Sequence, residues 1–61
     1  MKKKITIIDG YGSQIIEYIT PKVLVFTSNY GINVLEFLSD DGLGRKIAIK
    51  TKETIIVEEI E

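Results

Sequence analysis

The chain contains no cysteine and no histidine. Without cysteine it forms no disulfide and no thiolate metal site, and without histidine it also lacks the other common zinc ligand. The same two absences remove the usual nucleophile and base pairs of enzymes, which leaves serine, threonine or lysine as the only nucleophiles. We therefore predict a non-enzymatic protein that uses no metal and no other cofactor.

Long apolar runs and an excess of one charge are missing as well. No apolar run approaches the ~18 residues that suggest a membrane helix. The basic residues 2–4 resemble the start of a secretory signal, but the apolar stretch after them is too short. Eight basic against nine acidic residues give a net charge of −1, without the basic excess that is usual in nucleic-acid-binding proteins. We expect a cytoplasmic protein with no membrane partner, and we rank nucleic acid below protein as its partner.

What the chain does have is β-branched residues in short runs. Twelve isoleucines, four valines and five threonines are separated by Gly, Asn, Asp and Ser, a pattern that predicts strands divided by turns. The expected strands cover residues 3–8, 14–19, 23–27, 32–38, 46–51 and 54–60. The sequence thus predicts one all-β domain over residues 1–61, a small five- or six-stranded antiparallel meander that is either barrel-like or a strongly curved sheet.

Residues 33–41 are ambiguous between strand and helix. Asn33 followed by Glu36 fits the start of a helix, and Gly42 could end it. However, Asp40 and Asp41 would then lie at the negative end of the helix dipole, where acidic side chains are unfavourable. We therefore favour a strand.

The apolar residues are too many for one face of a sheet. Alternation along the strands predicts a core of Ile5, Ile7, Ile16, Tyr18, Leu24, Phe26, Leu35, Phe37, Ile47, Ile49, Ile55 and Val57. It places Val23 and Val25 on the opposite faces, together with a candidate interface of Ile8, Ile15, Ile19, Val34, Leu38, Ile56 and Ile60. Such a surface exceeds what soluble monomers usually expose, unless the sheet closes on itself. A chain this short also buries only ~60% of its unfolded surface, so self-association would add stability.

Basic residues near the end of the chain form a second candidate site. Arg45, Lys46, Lys50 and Lys52 could contact an anion or a nucleic acid. Lys2 and Lys4 would extend this set into a basic stripe if the first and fifth strands were neighbours, and Tyr11 or Tyr30 could stack on bases. The alternative is a solvated outer face whose lysines discourage aggregation, with their charge cancelled by glutamates across the strands. The candidate glutamates are Glu17, Glu36, Glu58 and Glu59.

The turn residues with catalytic or metal-binding chemistry are explained more simply by their turns. Ser13, Ser28 and Ser39 all lie in predicted turns, where hydroxyls bond to the local backbone. Asp40 and Asp41 lack the spaced acidic residues of a calcium loop.

The sequence therefore favours a small protein-interaction or assembly module that self-associates, and we expect a homo-oligomer that also binds another protein. A bacterial or phage accessory factor would fit such a minimal chain. The alternative is a nucleic-acid-binding small β-barrel, similar in strand number to SH3-like and OB barrels.

Overall fold

The computed structural model describes residues 2–60, which form six strands and no helix. The strands are β1 (Lys2–Ile8), β2 (Gln14–Thr20), β3 (Val23–Asn29), β4 (Ile32–Leu38), β5 (Lys46–Thr51) and β6 (Thr54–Ile60). The predicted all-β fold is confirmed, and the ambiguous segment is a strand as far as Leu38. A membrane-crossing helix, which would have to be long and apolar, does not occur within residues 2–60.

The six strands are divided between two antiparallel sheets that do not close into a barrel. Sheet A has the order β2-β1-β6, and sheet B has the order β3-β4-β5. The chain crosses from sheet A to sheet B between β2 and β3 and returns between β5 and β6. Strands β1 and β4 are therefore central and paired on both sides, whereas the other four strands are sheet edges.

The core lies between the facing sides of the two sheets. Its five buried apolar residues are Ile5, Ile7, Leu35, Phe37 and Ile55, packed by the partly buried Tyr18, Val23, Ile47, Ile49 and Val57. The rings of Tyr18 from sheet A and Phe37 from sheet B are 5.2 Å apart between centroids and tilted by 53°. Nine of the twelve predicted core residues are in this cluster, because inward-facing side chains alternate with outward-facing ones along both central strands and along β5 and β6. On β1 the outward-facing Thr6 is buried as well, at 8% exposed.

The predicted faces of Val23 and Leu24 are wrong because β3 contains a bulge, whereas Val25 and Phe26 have the predicted outer and inner register. Val23 pairs with Phe37, but the next pair along the ladder is Val25 with Glu36, so Leu24 is an extra residue. The bulge breaks strict alternation: Val23, expected outside, packs against the core, and Leu24, expected inside, is 41% exposed.

Two further residues predicted to be buried are exposed, and each lies on an edge strand just after a bulge: Phe26 follows the bulge at Leu24, and Ile16 follows Ile15, the extra residue of β2. Phe26 is opposite the buried Leu35, and Ile16 is opposite the buried Ile7, so both have the register of core residues. However, an edge strand has a neighbour on one side only, and Phe26 remains 47% exposed and Ile16 39% exposed.

Polar side chains fix both places where the chain crosses between the sheets. Thr20, at the end of β2, is completely buried, and its Oγ1 lies 2.7 Å from the Leu38 carbonyl oxygen of sheet B and accepts a hydrogen bond from the Lys22 amide. At the other crossing, the Asn33 side-chain amide donates to the Glu53 carbonyl at 2.6 Å. These bonds set the position of each sheet relative to the other.

Candidate functional site

Strand β3 carries a contiguous group of exposed large apolar side chains. Leu24, Val25 and Phe26, which we call the β3 strip, are 41%, 38% and 47% exposed. Val23 is the one half-buried residue of the strand, and every residue from 24 to 31 is exposed. Val25 lies opposite Glu36 on the outer side of sheet B, whereas Phe26 lies opposite Leu35 on the inner side. The strip therefore offers apolar surface on both sides of a sheet edge.

The backbone of β3 also has groups free for a further strand. Asn29 pairs with Ile32 across a two-residue turn in which Tyr30 and Gly31 have φ of 52° and 75°, as in a type I′ turn. The Asn29 and Ile32 pair is therefore hydrogen-bonded, and bonded and non-bonded pairs alternate from there along the ladder. By this alternation the amide and carbonyl groups of Phe26 and Ser28 point away from β4.

The bond at the other end of β3 agrees with this alternation. The Leu38 amide donates to the Lys22 carbonyl at 3.0 Å, which makes Lys22 and Leu38 a bonded position next to the Val23 and Phe37 pair. Because Leu24 is an extra residue of β3, the next pair along the ladder is Val25 with Glu36, and this pair is again hydrogen-bonded. Both ends of the strand therefore assign Phe26 and Ser28 to the free edge.

The β3 edge differs from the other three edges in its charge. None of the seven residues of β3 is charged. In contrast, β2 carries Glu17, β5 carries Lys46 and Lys50, and β6 carries Glu58 and Glu59. Charged side chains are a common way in which proteins prevent unwanted pairing at sheet edges. Only β3 lacks this protection among the four.

Six of the seven residues of the predicted interface are divided between two opposite sides of the molecule. Pairing in register places Ile8, Ile19, Ile56 and Ile60 on the outer face of sheet A, and Val34 and Leu38 on the outer face of sheet B. Ile15 is the extra residue of a bulge in β2 and has no partner in the ladder. Only Ile15 and Ile56 of this set are exposed, by 55% and 38%, and the other five are half-buried. A single flat contact could therefore not include all seven.

The basic residues are largely neutralised within the protein. Arg45 pairs with Asp41, and the Lys46 Nζ lies 3.4 Å from Glu36. Across the strands of sheet A, Lys4 and Glu17 are 3.9 Å apart, and Lys3 and Glu59 are 3.0 Å apart. Glu17 and Glu36 thus pair with Lys4 and Lys46 as that alternative anticipated, whereas Glu59 pairs with Lys3, which lies outside the predicted basic set.

Lys50 and Lys52 are the remaining members of the basic set. Together with Ile32 and Thr51 they line a shallow depression of about 260 Å³. Within residues 2–60 no carboxylate lies within ion-pair distance of either lysine. Tyr30, which precedes Ile32 by two residues, is 94% exposed.

The glycine-rich loop between β4 and β5 is occupied by its own carboxylate. Asp41 accepts hydrogen bonds from the Leu43 amide at 3.0 Å and from the Ser39 hydroxyl at 2.8 Å, and it also pairs with Arg45. The Leu43 amide, followed by Ser39 and Arg45, lowers the pKa of Asp41 to about 2. The Leu43 amide, the Ser39 hydroxyl and Arg45 are thus already engaged with a carboxylate of the loop itself.

The three serines differ in their surroundings. The Ser39 hydroxyl donates to Asp41 and accepts from the Arg45 amide, so it serves its turn, and the Ser13 backbone amide donates to the Asp9 carboxylate. Ser28, predicted to lie in a turn, is instead part of β3. Within residues 2–60 no three acidic side chains converge as metal ligands. Comparisons of the chain with protein-family models, with curated proteins and with solved structures found no match.

Proposed function

We propose that this protein is a non-enzymatic protein-interaction module of the assembly or accessory type, and that it self-associates. The observation that carries this proposal is the β3 strip, three large apolar side chains exposed on an uncharged sheet edge. An exposed apolar edge is a template for pairing with another chain, and proteins that remain monomeric usually block it. The cytoplasmic location expected from the sequence is part of the same proposal.

The shape of the protomer supports association. Its radius of gyration is 11.4 Å, compared with about 10.5 Å for a compact domain of this length. Its accessible surface is 4317 Å², compared with about 4,000 Å² for a monomeric protein of this mass. Both values are slightly above the averages for compact monomers, and the exposed Leu24, Val25 and Phe26 are apolar surface that a second protein would bury.

Binding of nucleic acid is the second candidate function. Lys50 and Lys52 provide two cations, and Tyr30, exposed in the β3–β4 turn two residues before Ile32, provides a stacking surface. Two phosphate contacts give a weak complex, and affinity falls steeply with salt for each contact made. We rank this function second because the other two members of the basic set, Arg45 and Lys46, are paired with carboxylates.

The proposed function is tested by measuring the mass of the purified protein. Light scattering over a wide range of concentrations should give a weight-average mass that rises above the 6.9 kDa of one chain. A mass that stays at one chain at the highest concentration would refute self-association. A mobility shift with single-stranded DNA that is lost in Lys50→Glu and Lys52→Glu would instead support the second function.

Two isoleucine variants distinguish the core from the outer face of sheet A. Ile49 packs against the core, so we expect Ile49→Lys to unfold the protein because the charge would be buried without a partner. Ile56 is 38% exposed beside Thr6 and Glu58, so Ile56→Lys should keep the β-type circular dichroism spectrum. We expect its mass to equal that of the wild type. A fall in mass would place the contact on the outer face of sheet A.

A further inference from the structure

We propose that two copies of this chain pair antiparallel through β3, about a two-fold axis at Thr27. The two copies of sheet B then form one continuous sheet of six strands. This inference rests on the proposed self-association and names the strand, the partner and the register through which it occurs.

The free backbone groups of β3 select this register. On the regular edge between the bulge and the turn, Phe26 and Ser28 present the outward amides and carbonyls, so the pairing can place Phe26 opposite Phe26, Phe26 opposite Ser28, or Ser28 opposite Ser28. The last register would bond only the Ser28 pair, because Phe26 would then lie opposite Tyr30 of the turn. Placing Phe26 opposite Ser28 uses the free groups of both residues in both copies, which gives four hydrogen bonds. Placing Phe26 opposite Phe26 would give hydrogen bonds only between the two Phe26 residues, because Ser28 would then lie opposite the bulged Leu24. The favoured register therefore has Thr27 facing Thr27 at the axis.

Because β3 carries no charged residue, a second copy of the same strand can pair with it without repulsion. When a strand pairs with its own copy about a two-fold axis, the two identical strands run in opposite directions side by side. A charged strand then brings like charges close together. Pairing of β5 with itself would bring Lys46 and Lys50 towards their copies, and pairing of β6 would do the same for Glu58 and Glu59. Like charges directly opposite each other destabilise a strand pair. Strand β3 alone avoids this cost.

The pairing also covers the apolar side chains that the protomer exposes. In this register Val25 lies opposite Asn29 of the second copy, and Thr27 pairs with Thr27, a favourable cross-strand pair. Phe26 lies opposite Ser28 of the second copy on the inner face, so its edge side, which has no neighbouring strand in the single protomer, gains one. The contact is short, from 25 to 29, because the Leu24 bulge and the turn at Tyr30 end the regular edge. We therefore expect an association at the weak end of specific interfaces.

A pair of charge substitutions tests the register. Thr27 and Thr54 are both exposed threonines on outer faces of edge strands, in β3 and β6 respectively. Thr27→Lys places two lysines opposite each other at the axis and should weaken association roughly tenfold. Thr54→Lys makes the same change in charge away from β3, and its association should match that of the wild type. Circular dichroism checks that both variants keep the β fold.

The absence of cysteine permits a second test by cross-linking. Directly opposed residues of a non-hydrogen-bonded antiparallel pair have Cα atoms about 4.5 Å apart, within the range that a disulfide spans. Thr27→Cys should therefore oxidise to a covalent dimer with the circular dichroism spectrum of the wild type. Thr54→Cys, treated identically, should form much less dimer.

The outcomes separate this inference from the proposed function. A wild type that stays monomeric at all concentrations overturns both. A wild type that associates, with Thr27→Lys associating equally well and Thr27→Cys cross-linking no faster than Thr54→Cys, overturns the β3 pairing and leaves self-association standing. Rapid cross-linking at position 27 together with weakened association of Thr27→Lys establishes the pairing. If Thr27→Lys loses its β spectrum, the cross-linking comparison decides alone.

Discussion

Removing the hydroxyl of Thr20 should destabilise the protein strongly although the change is small. Thr20 is completely buried where the chain crosses between the sheets. Its Oγ1 lies 2.7 Å from the Leu38 carbonyl and 2.9 Å from the Lys22 carbonyl, so its single hydrogen is directed at these two oxygens. The same oxygen accepts from the Lys22 amide at 3.1 Å. Thr20→Val keeps the shape of the side chain and removes all of these bonds.

The size of the effect follows from the groups left without partners. One donated and one accepted hydrogen bond contribute ~1 kcal/mol each, and a buried group that loses its partner costs more. We expect Thr20→Val to lower the free energy of unfolding by about 2–3 kcal/mol. The whole protein should have a stability of only about 3–9 kcal/mol at ~0.05–0.15 kcal/mol per residue. The variant should therefore melt roughly 15–25 °C lower, at ~8 °C per kcal/mol for a chain this short.

Thr20→Ser is the matched control, because it keeps the hydroxyl and removes a buried methyl group. It should lose about 1 kcal/mol, the cost of the missing methyl. Thermal and urea unfolding followed by circular dichroism measure both variants. If Thr20→Val is as stable as Thr20→Ser or more stable, the hydroxyl does not hold the two sheets together and the reasoning is wrong.

Two further predictions concern the loops. Hydrogen bonds from the Leu43 amide, Ser39 and Arg45 lower the pKa of Asp41 from 3.8 to about 2. Because the folded state favours the ionised form, the stabilisation by Asp41 should be complete above pH 4 and be lost as the pH falls from about 4 to 2. Urea unfolding at a series of pH values should show a shallower loss over this range for Asp41→Asn than for the wild type. In the β3–β4 turn, Tyr30 has φ of 52° and is 94% exposed, so it is strained and packs little. Tyr30→Asn should raise stability by roughly 0.5–1 kcal/mol in thermal unfolding, because asparagine tolerates this conformation better. An unchanged or lower midpoint would contradict this account of the turn.

The strands could be predicted from the sequence because their pattern is local, whereas the exposed edge could not. The β-branched runs and the Gly and Asn residues between them mark all six strands, and alternation identifies the inward residues of β1 and β4 correctly. The run from Val23 to Phe26 predicts a strand covered on both sides, but it lies on an edge. Its bulge is invisible in the sequence, because it depends on pairing with Glu36 of another strand. A usable signal was the lack of any charge from 23 to 29, which sets β3 apart from the other three edge strands.

The exposure of β3 and its lack of charge are more informative together than either is alone. An apolar edge strand with a lysine in it would be a protected edge, and an uncharged strand in the centre of a sheet would only be part of the core. Here the charges occur on β2, β5 and β6, where several pair with neighbouring strands and keep those edges hydrated. The β3 edge receives no such charge, although Lys22 lies just before it. An edge that the sequence leaves unprotected, in a fold whose other edges are protected, is the place where we expect a second chain to bind.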